Sequence, residues 1–232
     1  MLKQNRSFWS NPVTVVLSTV LLFFVSQLLG ALFVAPLLQY LPSKNYEILA
    51  FISVNFIVAL AILSVAMNIL GFGWERIGLK KFQSKALLWV IPASIVYFFV
   101  SSVFTLLAMK FIPGFNADQA QDVGFSNVTT SADLIITFVA LVILTPIFEE
   151  IVFRGVLFRG LRRRLPFWFA AIITSLAFAL AHLQLNVAVD TFALSLVLCY
   201  LVEKSDSVFP AILLHATKNA LAFLLLFVFK TF

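Results

Sequence analysis

Six polar residues of this chain lie inside long apolar stretches, where ionisable and strongly polar groups are rare. They are Glu149, Glu150, Arg154, His182, His215 and Asn219. In a hydrocarbon environment each ionisable group costs at least a few kcal/mol, so such groups need a partner or a function. These six residues are therefore the first candidates for chemistry.

Two pairs among them are spaced four residues apart. In a helix, Glu150 and Arg154 lie on one face, and so do His215 and Asn219. Glu150 and Arg154 neutralise each other as an ion pair. Glu149 is turned about 100° around the same helix, so it needs a partner from another helix.

His182 is the predicted partner of Glu149, because the two residues are expected at the same depth. If the helix that carries Glu149 continues through Arg164 and the chain turns at positions 165–166, both residues lie about 24 Å from the turn, at ~1.5 Å per residue. The last apolar stretch is centred near Asn219, which predicts the same level for His215. We expect Glu149, His182, His215 and Asn219 to line one cavity that water can reach.

This combination of side chains favours hydrolysis of an amide or ester. Burial raises the pKa of a carboxylate and a neighbouring positive charge restrains that rise, so a carboxylate beside an imidazole is a competent base for activating water. Glu149 is the predicted base. The N–H donors of His215 and Asn219 suit an oxyanion hole.

Composition identifies the elements that must position these residues. The chain has 232 residues, of which 62% are hydrophobic and 11% are charged, whereas about a quarter of the residues in a soluble domain are charged. The mean hydropathy of +1.06 reflects apolar runs of about 20 residues, the length at which a helix crosses a bilayer. Strands of a membrane barrel are about half as long and alternate in polarity. We therefore predict an all-α, polytopic bundle that forms one membrane domain over residues 1–232.

The apolar runs predict seven membrane spans. Their approximate bounds are 13–38, 48–70, 86–109, 133–158, 167–184, 188–203 and 208–229. The first run is too long for the apolar part of a signal peptide, which has about 7 to 15 residues, and is interpreted as an uncleaved span.

Basic residues alternate between the two sides of this predicted topology. They occur at the N-terminus (Lys3 and Arg6), in the second connection and in the fourth connection (residues 159–164). Since basic loops stay in the cytoplasm, the N-terminus is expected inside and the C-terminus outside. The same pattern explains the net charge of +6 without nucleic-acid binding. Cys199 is the single cysteine, so an intrachain disulfide is excluded.

The three motifs resemble those of the CAAX-protease and bacteriocin-processing family of intramembrane glutamic endopeptidases, also called the Abi family. The family pattern is two glutamates, three residues and an arginine; then phenylalanine, three residues and histidine; then histidine, three residues and asparagine or a small residue. Here the pattern is met, in the family's order, by Glu149, Glu150 and Arg154, by Phe178 and His182, and by His215 and Asn219. The resemblance covers residues 132–229, the expected catalytic core.

The resemblance implies a role for each residue of the site. Glu149, assisted by His182, would activate water without a metal or other cofactor, and His215 with Asn219 would hold the oxyanion. Glu150 and Arg154 would order the site. The substrate would be a peptide or membrane protein in the bilayer, with the bacterial plasma membrane as the expected location. The chain departs from the family at residues 191–196, where many members have glycines, and this affects packing and substrate access more than chemistry.

Two other functions are compatible with the same residues. Two histidines and a glutamate can form a zinc site, which would make the protein a metalloprotease, although the helical H-E-x-x-H motif is absent. A non-catalytic immunity or binding protein could use the same fold, but it would be expected to have lost part of the motif set.

Several neighbouring residues have simpler explanations. Phe178 is interpreted as a packing residue. Lys218 is expected to point away from the site, towards water or a helix dipole, and Asp190 lies close enough to a span end to reach water.

Overall fold

The protein is a bundle of helices in a computed structural model that describes residues 11–82, 84–119, 125 and 128–229. The N-terminal basic residues Lys3 and Arg6 lie outside the described residues. The seven main helices are α1 (Pro12–Tyr40), α2 (Lys44–Leu70), α3 (Ser84–Phe111), α4 (Ser131–Arg162), α5 (Phe167–Leu180), α6 (Leu185–Ser205) and α7 (Phe209–Val228). All except α5 are long and apolar enough to cross a membrane. The predicted all-α membrane bundle is confirmed.

Helices α4 and α6 form the centre of the bundle. About half of each apolar segment is buried inside the protein, 50% in α4 and 56% in α6, compared with 17–22% in the other four long helices. Helix α6 packs against α3, α5 and α7, while α1 and α2 pack together and also contact α4. Large exposed apolar side chains cover the outside of the bundle, as expected for a surface that faces lipid.

Helix α4, which carries three of the site residues, departs from regular α-helical geometry. Two of its segments, Val139–Leu144 and Glu150–Phe158, are π-helical. Pro146 lies between them and has no N–H to donate to the carbonyl of Val142, which favours an irregular turn at this point. π-Helical turns are rare and occur frequently at functional sites.

Helix α5 is shorter than the predicted fifth span of 167–184. It has 14 residues, about 21 Å at ~1.5 Å per residue, and it ends at Leu180. A turn of four residues connects it to α6, and Leu183 in this turn has a positive φ of 56°. His182 therefore lies in the turn and not inside a helix. The prediction was wrong here because Ala181 and Leu183 extend the apolar run beyond the end of the helix.

One end of the bundle is held by charged residues. Asp206, in the connection between α6 and α7, accepts hydrogen bonds from Lys80 and from Arg159, the latter at 2.7 Å. Burial opposes ionisation of Asp206, but these bonds outweigh it and lower its pKa. Arg162 makes an ion pair with Glu203 at 2.7 Å. These contacts bring the connection after α2 and the ends of α4 and α6 together.

Gly155 allows this connection to pack against α4. A Cβ atom at Gly155 would lie 2.9 Å from the carbonyl oxygen of Ile77, which belongs to the backbone and cannot rotate away. Gly30, at the contact of α1 with α2, is less crowded, since its Cβ atom would lie 3.2 Å from the nearest atoms of Asn55.

We predict that Gly155→Ala lowers the thermal unfolding temperature in detergent more than Gly30→Ala does. Alanine is the better helix former by about 1 kcal/mol at both positions, so the difference between the variants reports the steric contact. The assignment of Gly155 as a packing glycine would be contradicted if Gly155→Ala were as stable as the wild-type protein.

Candidate active site

A buried group of charged residues joins α4 to α7. Glu150 and Arg154 are fully buried, and Arg154 Nη1 donates to Glu150 Oε1 at 2.8 Å. The same oxygen lies 2.9 Å from Nδ1 of His215, which is also buried. Removing a charge from water costs several kcal/mol, and mutual attraction with hydrogen bonds offsets this cost. The predicted Glu150–Arg154 pair is therefore present, with His215 as its third member.

His215 also faces Glu149. Its Nε2 atom lies 3.6 Å from Glu149 Oε2, so the imidazole lies between the two glutamates. The spacing argument predicted His182 as the imidazole partner of Glu149. In the described part of the chain, His215 is the histidine within ion-pair distance of Glu149, and the structure shows no hydrogen bond between Glu149 and His182.

The ring of Phe178 links three residues of the site. It is fully buried, and the guanidinium carbon of Arg154 lies 4.4 Å from its centre. The rings of His182 and His215 meet it edge to face, with centroids 4.9 and 5.8 Å away. A cation over an aromatic face is attracted by the ring quadrupole. Phe178 is thus a packing residue, as interpreted from the sequence, but one whose packing orients Arg154 and both imidazoles.

His182 has a defined tautomer. Its Nδ1 atom lies 2.8 Å from the carbonyl oxygen of Phe178, and since a carbonyl only accepts, Nδ1 is the donor. In the neutral ring Nε2 is then unprotonated and can accept a hydrogen bond. Nε2 of His182 can therefore accept a hydrogen bond from a water molecule or accept a proton.

Asn219 is bonded to α4. Its Nδ2 donates at 2.9 Å to the carbonyl oxygen of Leu141, inside the first π-helical segment. One N–H of the amide remains for another partner, because the group carries two. The predicted i, i+4 pair of His215 and Asn219 thus has contacts with α4 at both members.

Glu149 and His182 line one cavity of about 230 Å³ between α1, α2, α4 and the turn after α5. The Glu149 side chain is 17% exposed, whereas Glu150 is fully buried. A water molecule occupies about 30 Å³ in the liquid, so the cavity holds several waters or part of a peptide. His215 and Asn219 are not among the residues that line this cavity. His215 is connected to it by its contact with Glu149.

Sequence reasoning missed three polar residues of this cavity. Gln27 in α1, Asn55 in α2 and Thr145 in α4 line its wall. Gln27 and Asn55 are amides in the middle of apolar runs. This feature of the sequence could have identified them as candidates. An uncharged side chain is less conspicuous in such a run than an ionisable one.

A second polar cluster connects α3, α6 and α7. Asp190 accepts hydrogen bonds from Tyr97 at 2.7 Å and Ser101 at 2.6 Å, and Lys218 Nζ lies 3.4 Å from its other oxygen. Lys218 was predicted to face water or a helix dipole. Its partner is a carboxylate instead, because α6 places Asp190 beside α7.

Within residues 11–82, 84–119, 125 and 128–229, no three His, Cys, Asp or Glu side chains are arranged to hold a metal ion. His215 Nδ1 and Arg154 Nη1 both contact Glu150 Oε1, so this carboxylate oxygen already has two partners.

Part of the chain is similar to a known protein family. Residues 131–221 match the family model described as "Type II CAAX prenyl endopeptidase Rce1-like". The matched segment contains all three motifs. The resemblance recognised in the sequence is therefore confirmed: residues 131–221 are similar to the CAAX prenyl endopeptidase family.

Three curated proteins are similar to parts of this chain. The "Putative membrane peptidase YdiL" of Bacillus subtilis is 22% identical over 166 residues, 72% of this chain and 67% of that protein. An "Uncharacterized 24.3 kDa protein" of Escherichia coli is 33% identical over 97 residues, 40% of this chain and 45% of that protein. The "UPF0177 protein YbdI" of Lactococcus lactis is 24% identical over 107 residues, 46% of this chain and 58% of that protein. No solved structure matches the chain.

We predict that Arg154→Met destabilises the protein far more than Arg162→Met. Removing one partner of a buried pair costs about 3–5 kcal/mol because a buried charge is left unpaired, whereas exposed ion pairs contribute about 0–1 kcal/mol. Thermal unfolding of both purified variants in detergent measures the difference. Equal losses of stability would show that Arg154 does not balance the buried charge of Glu150.

Proposed function

We propose that this protein is an intramembrane endopeptidase in which Glu149 activates a water molecule to hydrolyse a peptide bond of a membrane-associated protein or peptide. The family match supports a membrane peptidase of the CAAX type in general. The observation that supports the role of Glu149 is its position: it is the glutamate that both lines the cavity and contacts an imidazole.

The two neighbouring glutamates have different roles in this proposal. Glu150 is neutralised by Arg154 inside the protein and holds His215 in place. Glu149 takes the proton from water, the hydroxide attacks the peptide carbonyl, and Glu149 returns the proton to the leaving amine. Nε2 of His182 accepts a hydrogen bond from the attacking water and orients it. The reaction then needs no metal or other cofactor.

His215 supplies an oxyanion donor in this proposal. Its Nε2 lies 3.6 Å from Glu149 Oε2, beside the glutamate that takes the proton from water. Asn219 supports this donor by fixing α7 to α4 through Leu141.

The proposal extends to the arrangement in the membrane. The basic end of the bundle, which includes Lys80, Arg159 and Arg162, faces the cytoplasm under the positive-inside rule. The N-terminus is then cytoplasmic and the C-terminus outside, in a bacterial plasma membrane. A single membrane domain is supported by α1 and α2, which supply walls of the cavity in addition to the core of residues 132–229.

We predict that Glu149→Gln abolishes cleavage, because glutamine keeps the shape of the side chain but cannot accept the proton. Loss of a general base lowers the rate by about 10²- to 10⁴-fold. New protein N-termini in membranes that contain the wild-type protein, compared with membranes that contain Glu149→Gln, identify the substrate. Glu203→Gln is the control, since Glu203 pairs with Arg162 at the basic end.

Two outcomes would contradict the proposal. If wild-type and Glu149→Gln membranes gave the same cleavage products while the phenotype persisted, the protein would act by binding, as an immunity protein does. If chelation abolished activity and zinc restored it, the zinc protease would replace the metal-independent mechanism.

A further inference from the structure

The cavity wall opposite the proposed base carries two amide side chains. Gln27 is the one amide in Pro12–Val34, the α-helical part of α1, and Asn55 lies in the middle of α2. Both line the cavity that Glu149 and His182 line from α4 and from the turn after α5. The family match covers residues 131–221, so neither amide belongs to the matched motifs.

Asn55 is buried, and one of its polar atoms has no partner in the described structure. Its side chain is 5% exposed, and Oδ1 is buried with no hydrogen-bond partner in the described structure. Gly30 packs directly on Asn55, so α1 and α2 approach closely there. A buried polar atom without a partner costs about 1–3 kcal/mol. Such an atom needs an explanation, and the position of Asn55 at the cavity provides one.

Several other polar atoms of the site already have partners. His182 Nδ1 is bonded to the carbonyl of Phe178, and Asn219 Nδ2 is bonded to the carbonyl of Leu141. His215 lies between the two glutamates. The main chain of a peptide that enters this cavity must nevertheless find partners for its N–H and C=O groups, because lipid supplies none.

We propose that Asn55 and Gln27 bind the main chain of the substrate peptide opposite Glu149, with Asn55 Oδ1 accepting a peptide N–H. This inference rests on the proposed peptidase function and assigns to α1 and α2 the binding of substrate. An amide side chain both donates and accepts, so it matches the two groups of a peptide unit. Recognition of the main chain requires an extended segment, since a helix uses those groups internally.

The test uses the full-length protein and a peptide that spans the cleavage site found in the membrane comparison. Asn55→Ala should lower kcat/KM about twofold to tenfold, as expected for one hydrogen bond, mainly through KM. Asn45→Ala is the matched control, because Asn45 is a buried amide of the same helix that donates to Asp133. It should leave kcat/KM unchanged. Gln27→Ala should resemble Asn55→Ala in direction.

A substrate change separates binding from a structural effect. Replacing a main-chain N–H beside the cleaved bond by an ester oxygen removes the donor that Asn55 would accept. At one position of the substrate peptide, this replacement should slow cleavage by the wild-type protein severalfold. The same replacement should not slow cleavage by Asn55→Ala any further. Additive losses at every position would overturn the assignment of Asn55.

The outcomes distinguish this inference from the proposed function. Cleavage by the wild-type protein that is lost in Glu149→Gln but equal in Asn55→Ala, Gln27→Ala and Asn45→Ala overturns the inference and leaves the function intact. Absence of any cleavage that depends on Glu149 overturns the function itself. If Asn55→Ala does not fold, Gln27→Ala with the ester substrates provides the same comparison.

Discussion

The contact of Glu150 with Arg154 and His215 is the interaction on which the rest of the site depends. Charged groups at the centre of a helical bundle are costly to bury, and their mutual attraction offsets part of this cost. Here one carboxylate oxygen receives both a guanidinium and an imidazole. The contact fixes α7 against α4, and Phe178 extends it to α5 by packing under Arg154. Glu149 is left at the cavity, next to an imidazole whose position is set by Glu150.

The shape of α4 is linked to this arrangement. All nine residues of the π-helical segment Glu150–Phe158 are buried, so the helix is surrounded by protein at the level of the site. Close packing around this segment needs small residues within it, and Gly155 meets this need beside Ile77. In the first π-helical segment the carbonyl of Leu141 accepts from Asn219. Irregular backbone in a membrane is stable where neighbouring side chains take over its hydrogen bonds.

Sequence alone predicted the bundle and most span positions, because long apolar runs are strong signals in a membrane protein. Buried ionisable groups are a second signal, and the catalytic roles that they suggest stay predictions. The pairing of the histidines was harder to predict. Depth was estimated from ~1.5 Å per residue, and Glu149 and His182 do share a cavity. The imidazole that contacts Glu149 is determined by the rotation of each helix and by the end of α5 at Leu180. The apolar pattern of the sequence predicts neither of these. Asn55 was missed because an uncharged amide in an apolar run has many structural explanations.

Chemical rescue tests the central role of Glu149 most directly. Glu149→Ala removes the carboxylate next to a cavity of about 230 Å³, and formate is small enough to enter it. The account predicts that Glu149→Ala is inactive and that formate restores part of its cleavage of the identified peptide. Glu150→Ala should not be rescued, since Glu150 is fully buried. Cleavage by Glu149→Ala at the wild-type rate without formate would contradict the account.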